Sequence, residues 1–115
     1  MPLSYILSNL LADVPKAEAV IFLDAEGETI EVLSARMQPY DIKVQGAYEV
    51  IHLNQLSRKH PGTNGYYCIG TKFSVFTTQV GTEYFLVVIT QGEAPPGRIL
   101  RCLKRARRDI EDKVL

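Results

Sequence analysis

The segment that starts at Pro39 is the feature that most constrains how this chain can fold. Proline is favoured in the first turn of a helix and the next proline is Pro61, so residues 39–59 predict one long helix. On a helical wheel its apolar residues form two stripes, Tyr40, Val44, Ala47, Tyr48 and Ile51 in one, and Ile42, Gly46, Val50 and Leu53 in the other. The polar remainder consists of Asp41, Gln45, Glu49 and His52. One sheet covers only one stripe, so the second stripe predicts contact with another chain.

The patterns around this helix predict an α+β fold. Residues 17–23 and 83–90 are apolar on both faces, which is typical of central strands covered from two sides, whereas residues 28–33 carry two glutamates and predict a strand nearer an edge. The predicted helices are residues 2–13, 39–59 and 98–115, and the predicted strands are residues 17–23, 28–33, 66–69, 73–79 and 83–90. This order of elements favours a sandwich with a mostly antiparallel five-stranded sheet.

Length and net charge limit the functional classes. A chain of 115 residues predicts a single domain over residues 1–115, and its formal net charge of zero gives no bulk attraction to nucleic acid or to anionic lipid. The charge is unevenly distributed, however. Residues 1–60 carry 5 Lys/Arg and 8 Asp/Glu, a net of −3, whereas residues 61–115 carry 8 and 5, a net of +3.

Most of the positive charge lies in the last predicted helix. Arg101, Lys104, Arg105 and Arg108 are candidates for a docking surface toward an acidic protein or a membrane, with a solvated outer helix face as the simpler interpretation. No aromatic residues alternate with these cations, which disfavours nucleic acid as a partner.

The cysteines and the chain start favour a cytoplasmic protein. Cys68 and Cys102 are far apart and form no CxxC pair, which is typical of free thiols in a reducing compartment. No secretory signal pattern opens the chain, and no apolar run reaches membrane-spanning length.

The sequence predicts no catalytic site, cofactor or metal site. Residues 65–72 resemble a phosphate-binding loop, but Thr71 precedes Lys72 and a strand pattern follows, where such a loop needs the reverse order and a helix. His52 and His60 lack carboxylates or thiols at metal-ligand spacing. We therefore expect a protein that is not an enzyme.

The whole pattern resembles the roadblock/dynein light chain family. The resemblance is carried by LLADVP at residues 10–15, AEAVIFLDAEGE at residues 17–28, the Gly46-Ala47 pair, VGTEYFLVVI at residues 80–89 and a terminal helix. It implies a profilin-like α-β-β-α-β-β-β-α sandwich and a homodimer or heterodimer joined through the long helix and the third strand. It also implies a non-enzymatic role in binding, scaffolding or regulating Ras-like small GTPases, or in motor and signalling complexes.

These inferences give two functional hypotheses. The first is a cytoplasmic, homodimeric adaptor or regulator that binds a Ras-like small GTPase and modulates its nucleotide cycle or localisation. In it, Gly46, Val50 and Leu53 are expected to face the partner, and the strand with Tyr66 and Cys68 pairs edge to edge. The alternative is a structural scaffold subunit that docks on an acidic protein or membrane through its basic last helix.

Overall fold

The computed structural model describes residues 2–115 and contains three helices and five strands in that range. The helices are α1 (Pro2–Asp13), α2 (Pro39–Lys59) and α3 (Pro96–Lys113), and the strands are β1 (Ala17–Asp24), β2 (Thr29–Ser34), β3 (Gly65–Cys68), β4 (Phe73–Val80) and β5 (Tyr84–Gln91). Their order is the predicted α-β-β-α-β-β-β-α, so the predicted fold class is confirmed.

The five strands form one sheet in the order β2-β1-β5-β4-β3. All four pairings between neighbouring strands are antiparallel. The two runs that are apolar on both faces, β1 and β5, lie inside the sheet as predicted, while β2 and β3 form its edges. At the β1–β2 turn, the Asp24 side chain accepts hydrogen bonds from the backbone N–H groups of Glu26 and Glu28, and Gly27 adopts a φ of 84°.

The helices divide unequally between the two faces of the sheet. Helices α1 and α3 pack against each other and against one face, where Phe76, Leu86 and Val88 lie in the core. Helix α2 alone packs on the other face, over Ile21, Val87 and Ile89 of the second core. The sheet therefore separates two hydrophobic cores, and only one helix covers the second.

The stripe of α2 that faces the sheet is the one expected to face a partner. Ile42, Gly46, Val50 and Leu53 are all buried within this chain. The backbone of α2 passes so close to β1 that a Cβ on Gly46 would lie 3.0 Å from Leu23 Cδ2 and 3.3 Å from Ile21 Cδ1. The assignment of Gly46, Val50 and Leu53 to a dimer interface was therefore wrong, because the chain's own sheet buries these residues.

The close approach at Gly46 predicts a loss of stability when a side chain is added there. We expect Gly46→Leu to destabilise the folded chain by about 1–3 kcal/mol, because the new side chain overlaps Leu23 and Ile21 in a filled core. Thermal unfolding monitored by circular dichroism measures the effect. Lys43→Leu, which adds a leucine at an exposed position of the same helix, is the control. Equal melting temperatures for the two variants would contradict the close packing at Gly46.

Candidate interaction surfaces on α2, β3 and α3

The outward face of α2 carries a row of large apolar side chains. Tyr40, Val44, Tyr48 and Ile51 are exposed over 52–76% of their surface. Their spacing of four, four and three residues places them on one side of the helix over about 16 Å, since each residue advances a helix by about 1.5 Å. We call these four residues the α2 outer stripe. A contiguous exposed apolar surface of this kind is typical of an interaction site.

A groove extends the α2 outer stripe onto the sheet. It has a volume of about 540 Å³ and lies between the first half of α2 and the start of β4. Its apolar lining includes Tyr40 and Val44 from the stripe, Met37, Ile89 and the exposed ring of Phe73. The groove exists because α2 leaves this end of β4 uncovered.

The edge strand β3 lies beside the same helix. β3 pairs only with β4, so its other edge has no neighbouring strand within residues 2–115. The rings of His52 and Tyr66 meet edge to face with centroids 4.9 Å apart, and Tyr48 lies 6.5 Å beyond His52. These rings link the α2 outer stripe to β3. The expected role of Tyr66 and Cys68 at a strand-to-strand interface stays a prediction.

A buried carboxyl group lies on the β3-facing side of α2. Glu49 is only 5% exposed, although the sequence pattern placed it on the polar side of the helix. Burial raises the pKa of Glu49 above its ordinary value of 4.5, while the hydrogen bond donated by Gln45 Nε2 and the nearby His52 act in the opposite direction. Among the described residues 2–115, the side-chain oxygens Tyr66 Oη and Thr77 Oγ1 are also buried and have no hydrogen-bond partner.

The raised pKa of Glu49 predicts how stability depends on pH. Between the unfolded pKa near 4.5 and the higher folded pKa, the folded state binds more protons, so stability falls as pH rises through this window. We expect Glu49→Gln to melt at a higher temperature than the wild type at neutral pH, because the amide carries no charge to desolvate. The difference should shrink as the pH approaches 4.5, where Glu49 becomes protonated. Melting curves at a series of pH values test this, and a pH-independent difference would contradict it.

The four predicted docking residues of α3 lie on one exposed side of the helix, and two of them also line grooves. Arg105 lines a shallow groove between α3 and α1, together with Tyr5 and Asp109. Lys104 lines a separate groove between α3 and β3. At 100° per residue, Arg101 and Arg108 lie close together on the outward face of the helix, away from the buried stripe. Their role in docking stays a prediction; the four residues lie within an arc of about 100°, with Lys104 and Arg105 at its two edges.

The predicted docking residues do not include Arg107, which lines the same groove as Lys104. Its Nε lies 3.4 Å from Glu111 Oε2, the only ion pair within 4.0 Å in the part of the chain that the structure describes. Glu111 Oε2 also accepts a hydrogen bond of 2.7 Å from the backbone N–H of Gly81. The spacing of four residues between Arg107 and Glu111 predicts this pair, but it does not show which way the pair points.

Strand β4 begins directly after Lys72, so no helix follows the segment that resembles a phosphate-binding loop. Residues 2–115 contain no group of three histidine, cysteine or acidic side chains that could hold a metal ion. In the same range, no helix combines the length and the apolar composition needed to cross a membrane.

Sequence comparison alone finds no relatives, whereas solved structures match well. No protein-family model matches the chain, and a search of curated proteins gives no significant match. The gliding protein MglB from Thermus thermophilus matches with a TM-score of 0.84 at 16% identity, over 96% of this chain and 87% of that chain. A roadblock/LC7 domain from Streptomyces avermitilis matches with a TM-score of 0.80 at 13% identity, over 94% of this chain and 93% of that one.

This chain has the roadblock/LC7 fold. Profilin IA from Acanthamoeba castellanii also matches, with a TM-score of 0.69 at 13% identity over 100% of both chains, which confirms the predicted profilin-like sandwich. Since identities of 13–16% establish the fold alone, the surfaces described above carry the functional argument.

Proposed function

We propose that this protein is a dimeric, non-enzymatic adaptor or regulator that binds a Ras-like small GTPase. The observation that carries the proposal is that the α2 outer stripe and the free edge of β3 lie side by side in a roadblock/LC7 fold. The resemblance to the roadblock/dynein light chain family implies both the dimer and the GTPase. The absence of a phosphate-binding loop from the sequence pattern favours a role in which the partner, rather than this chain, holds the nucleotide.

The dimer interface in this proposal consists of the α2 outer stripe, the adjoining groove and β3. A twofold axis across α2 would bring the stripes of two copies together, with Tyr40 of one near Ile51 of the other, and a self-complementary row of tyrosines and aliphatics suits such an interface. The free edges of the two β3 strands would then pair across the same axis. One solved MglB has a tetrameric arrangement, which is compatible with self-association in this fold.

A charge placed in the α2 outer stripe should break this dimer without unfolding the chain. We expect the wild type to be a dimer at about 50 µM, given a dissociation constant of about 1 µM, which corresponds to a binding free energy of about 8 kcal/mol. We expect Val44→Glu to be a monomer at the same concentration. Lys43→Glu, one residue away and exposed outside the stripe, should remain a dimer. Sedimentation velocity distinguishes the two states. A monomeric wild type, or equal effects of the two glutamates, would refute this interface.

Binding to a small GTPase is tested with the GTPase that this protein captures from its native cell. The captured Ras-like GTPase is loaded either with GDP or with a non-hydrolysable GTP analogue. We expect it to bind this protein more tightly in one of these two nucleotide states. The reason is that a regulator shifts a two-state switch only through differential affinity for its states. Isothermal titration measures both affinities. Equal affinities, or the capture of no GTPase, would contradict the proposed function.

The alternative function, a scaffold subunit docked through α3, has weaker support. Arg101, Lys104, Arg105 and Arg108 are all exposed, as a docking surface requires. Lys104 and Arg105 lie at the two edges of this face and line separate grooves, however, so a flat partner meets Arg101 and Arg108 most directly. Salt-sensitive binding to anionic vesicles that is lost in Arg101→Glu/Arg108→Glu would favour this alternative.

A further inference from the structure

The face of the sheet opposite α2 has its own unoccupied groove. Helix α3 packs over β4 and leaves most of β3 uncovered, and the gap between them has a volume of about 390 Å³. We call this gap the α3–β3 groove. The ring of Tyr67 lies in it, 46% exposed, and stacks on the buried ring of Phe76 with centroids 5.6 Å apart. Leu100, itself exposed, and Leu103 form the apolar wall on α3.

The rim of the α3–β3 groove is positively charged. Lys104 and Arg107 line it, and none of the lining residues carries a carboxylate. Over residues 2–115, Lys104 has no carboxylate oxygen within 4.0 Å. Arg107 is held at its Nε by Glu111, which the backbone of Gly81 fixes in turn. This leaves the two terminal nitrogens of the guanidinium free to bind another carboxylate, a geometry in which arginine forms strong paired hydrogen bonds.

We propose that the α3–β3 groove binds an acidic segment of a partner protein that carries an aromatic or large aliphatic side chain. The apolar side chain of that segment stacks on Tyr67 against Leu100 and Leu103. Its carboxylates pair with Lys104 and Arg107. The volume is at the lower end of the range for ligand pockets, which suits one or two side chains of an extended segment better than a whole helix.

Charge and shape together favour a protein segment over a lipid surface. A planar membrane meets side chains that project outward, as Arg101 and Arg108 do, whereas Tyr67 lies between α3 and the strand edge. The groove opens on the side of the sheet opposite the α2 outer stripe, although Tyr66 of the proposed dimer interface is one of its lining residues. Tyr66 and Tyr67 are neighbours in β3, but Tyr66 packs with the core under α2 while Tyr67 stacks on Phe76 of the opposite core.

The test uses the full chain and two fluorescein-labelled peptides of equal length. One alternates glutamate with phenylalanine and leucine, and the other has lysine at every glutamate position. We expect fluorescence anisotropy to show binding of the glutamate peptide alone, with an affinity that falls as salt is added. Lys104→Glu should weaken this binding by about tenfold, because it replaces attraction by repulsion at the rim. Tyr67→Ala should weaken it as well, and Tyr67→Phe should restore it, because the stacking surface returns.

Arg98→Glu is the matched control, since it makes the same change in net charge at an exposed position of α3 that does not line the groove. We expect it to change the affinity by less than about twofold, as exposed charges away from the contact contribute little. Equal losses in Lys104→Glu and Arg98→Glu would overturn the proposal in favour of diffuse attraction to a basic helix. Equal binding of the two peptides would overturn it too, as would binding to phosphatidylserine vesicles that depends on Arg108 while the glutamate peptide fails to bind.

Discussion

Three helices must cover two faces of one sheet, and the widths of helices and strands leave a large part of one face uncovered. Strands lie about 4.8 Å apart, so five of them form a sheet about 20–24 Å wide, whereas a helix with its side chains is about 10–12 Å across. Two helices therefore cover most of one face, as α1 and α3 do, apart from the edge at β3. A single helix, α2, covers about half of the other face. The groove beside Phe73 is the uncovered part.

Gly46, in the middle of α2, is explained by the same constraint, that a single helix must cover this face of the sheet. Glycine in a helix interior costs about 1 kcal/mol relative to alanine. At Gly46 that cost is offset by close contact with Ile21 and Leu23, which lets one helix fill its half of the face tightly. The tight fit places the four large residues of the outer stripe on the opposite side of α2, where nothing within residues 2–115 covers them. The close packing of α2 on the sheet thus buries one stripe of the helix and leaves the other stripe exposed.

Sequence alone predicted the order of elements, the bounds of α1 and α2, and the fold class, because apolar periodicity and proline positions were unambiguous there. It did not predict which stripe of α2 faces the sheet, since both stripes are apolar and periodicity does not rank them. Residue type was the better signal: the buried stripe is aliphatic with one glycine, whereas the exposed stripe contains two tyrosines, which tolerate partial contact with water. The burial of Glu49 and the groove that Lys104 and Arg107 line depend on neighbouring strands far away in sequence.

Strand β3 is short, and its only partner among the described strands is β4. Its two central residues point to opposite sides, with Tyr66 meeting His52 under α2 and Tyr67 meeting Phe76 under α3. A four-residue edge strand of this kind belongs to the least protected part of a sheet. Any contact that orders it from one side also lowers the conformational entropy lost when the other side is occupied. Binding on one face of β3 would then favour binding on its other face without a change in the protein's shape, because both sites share this strand.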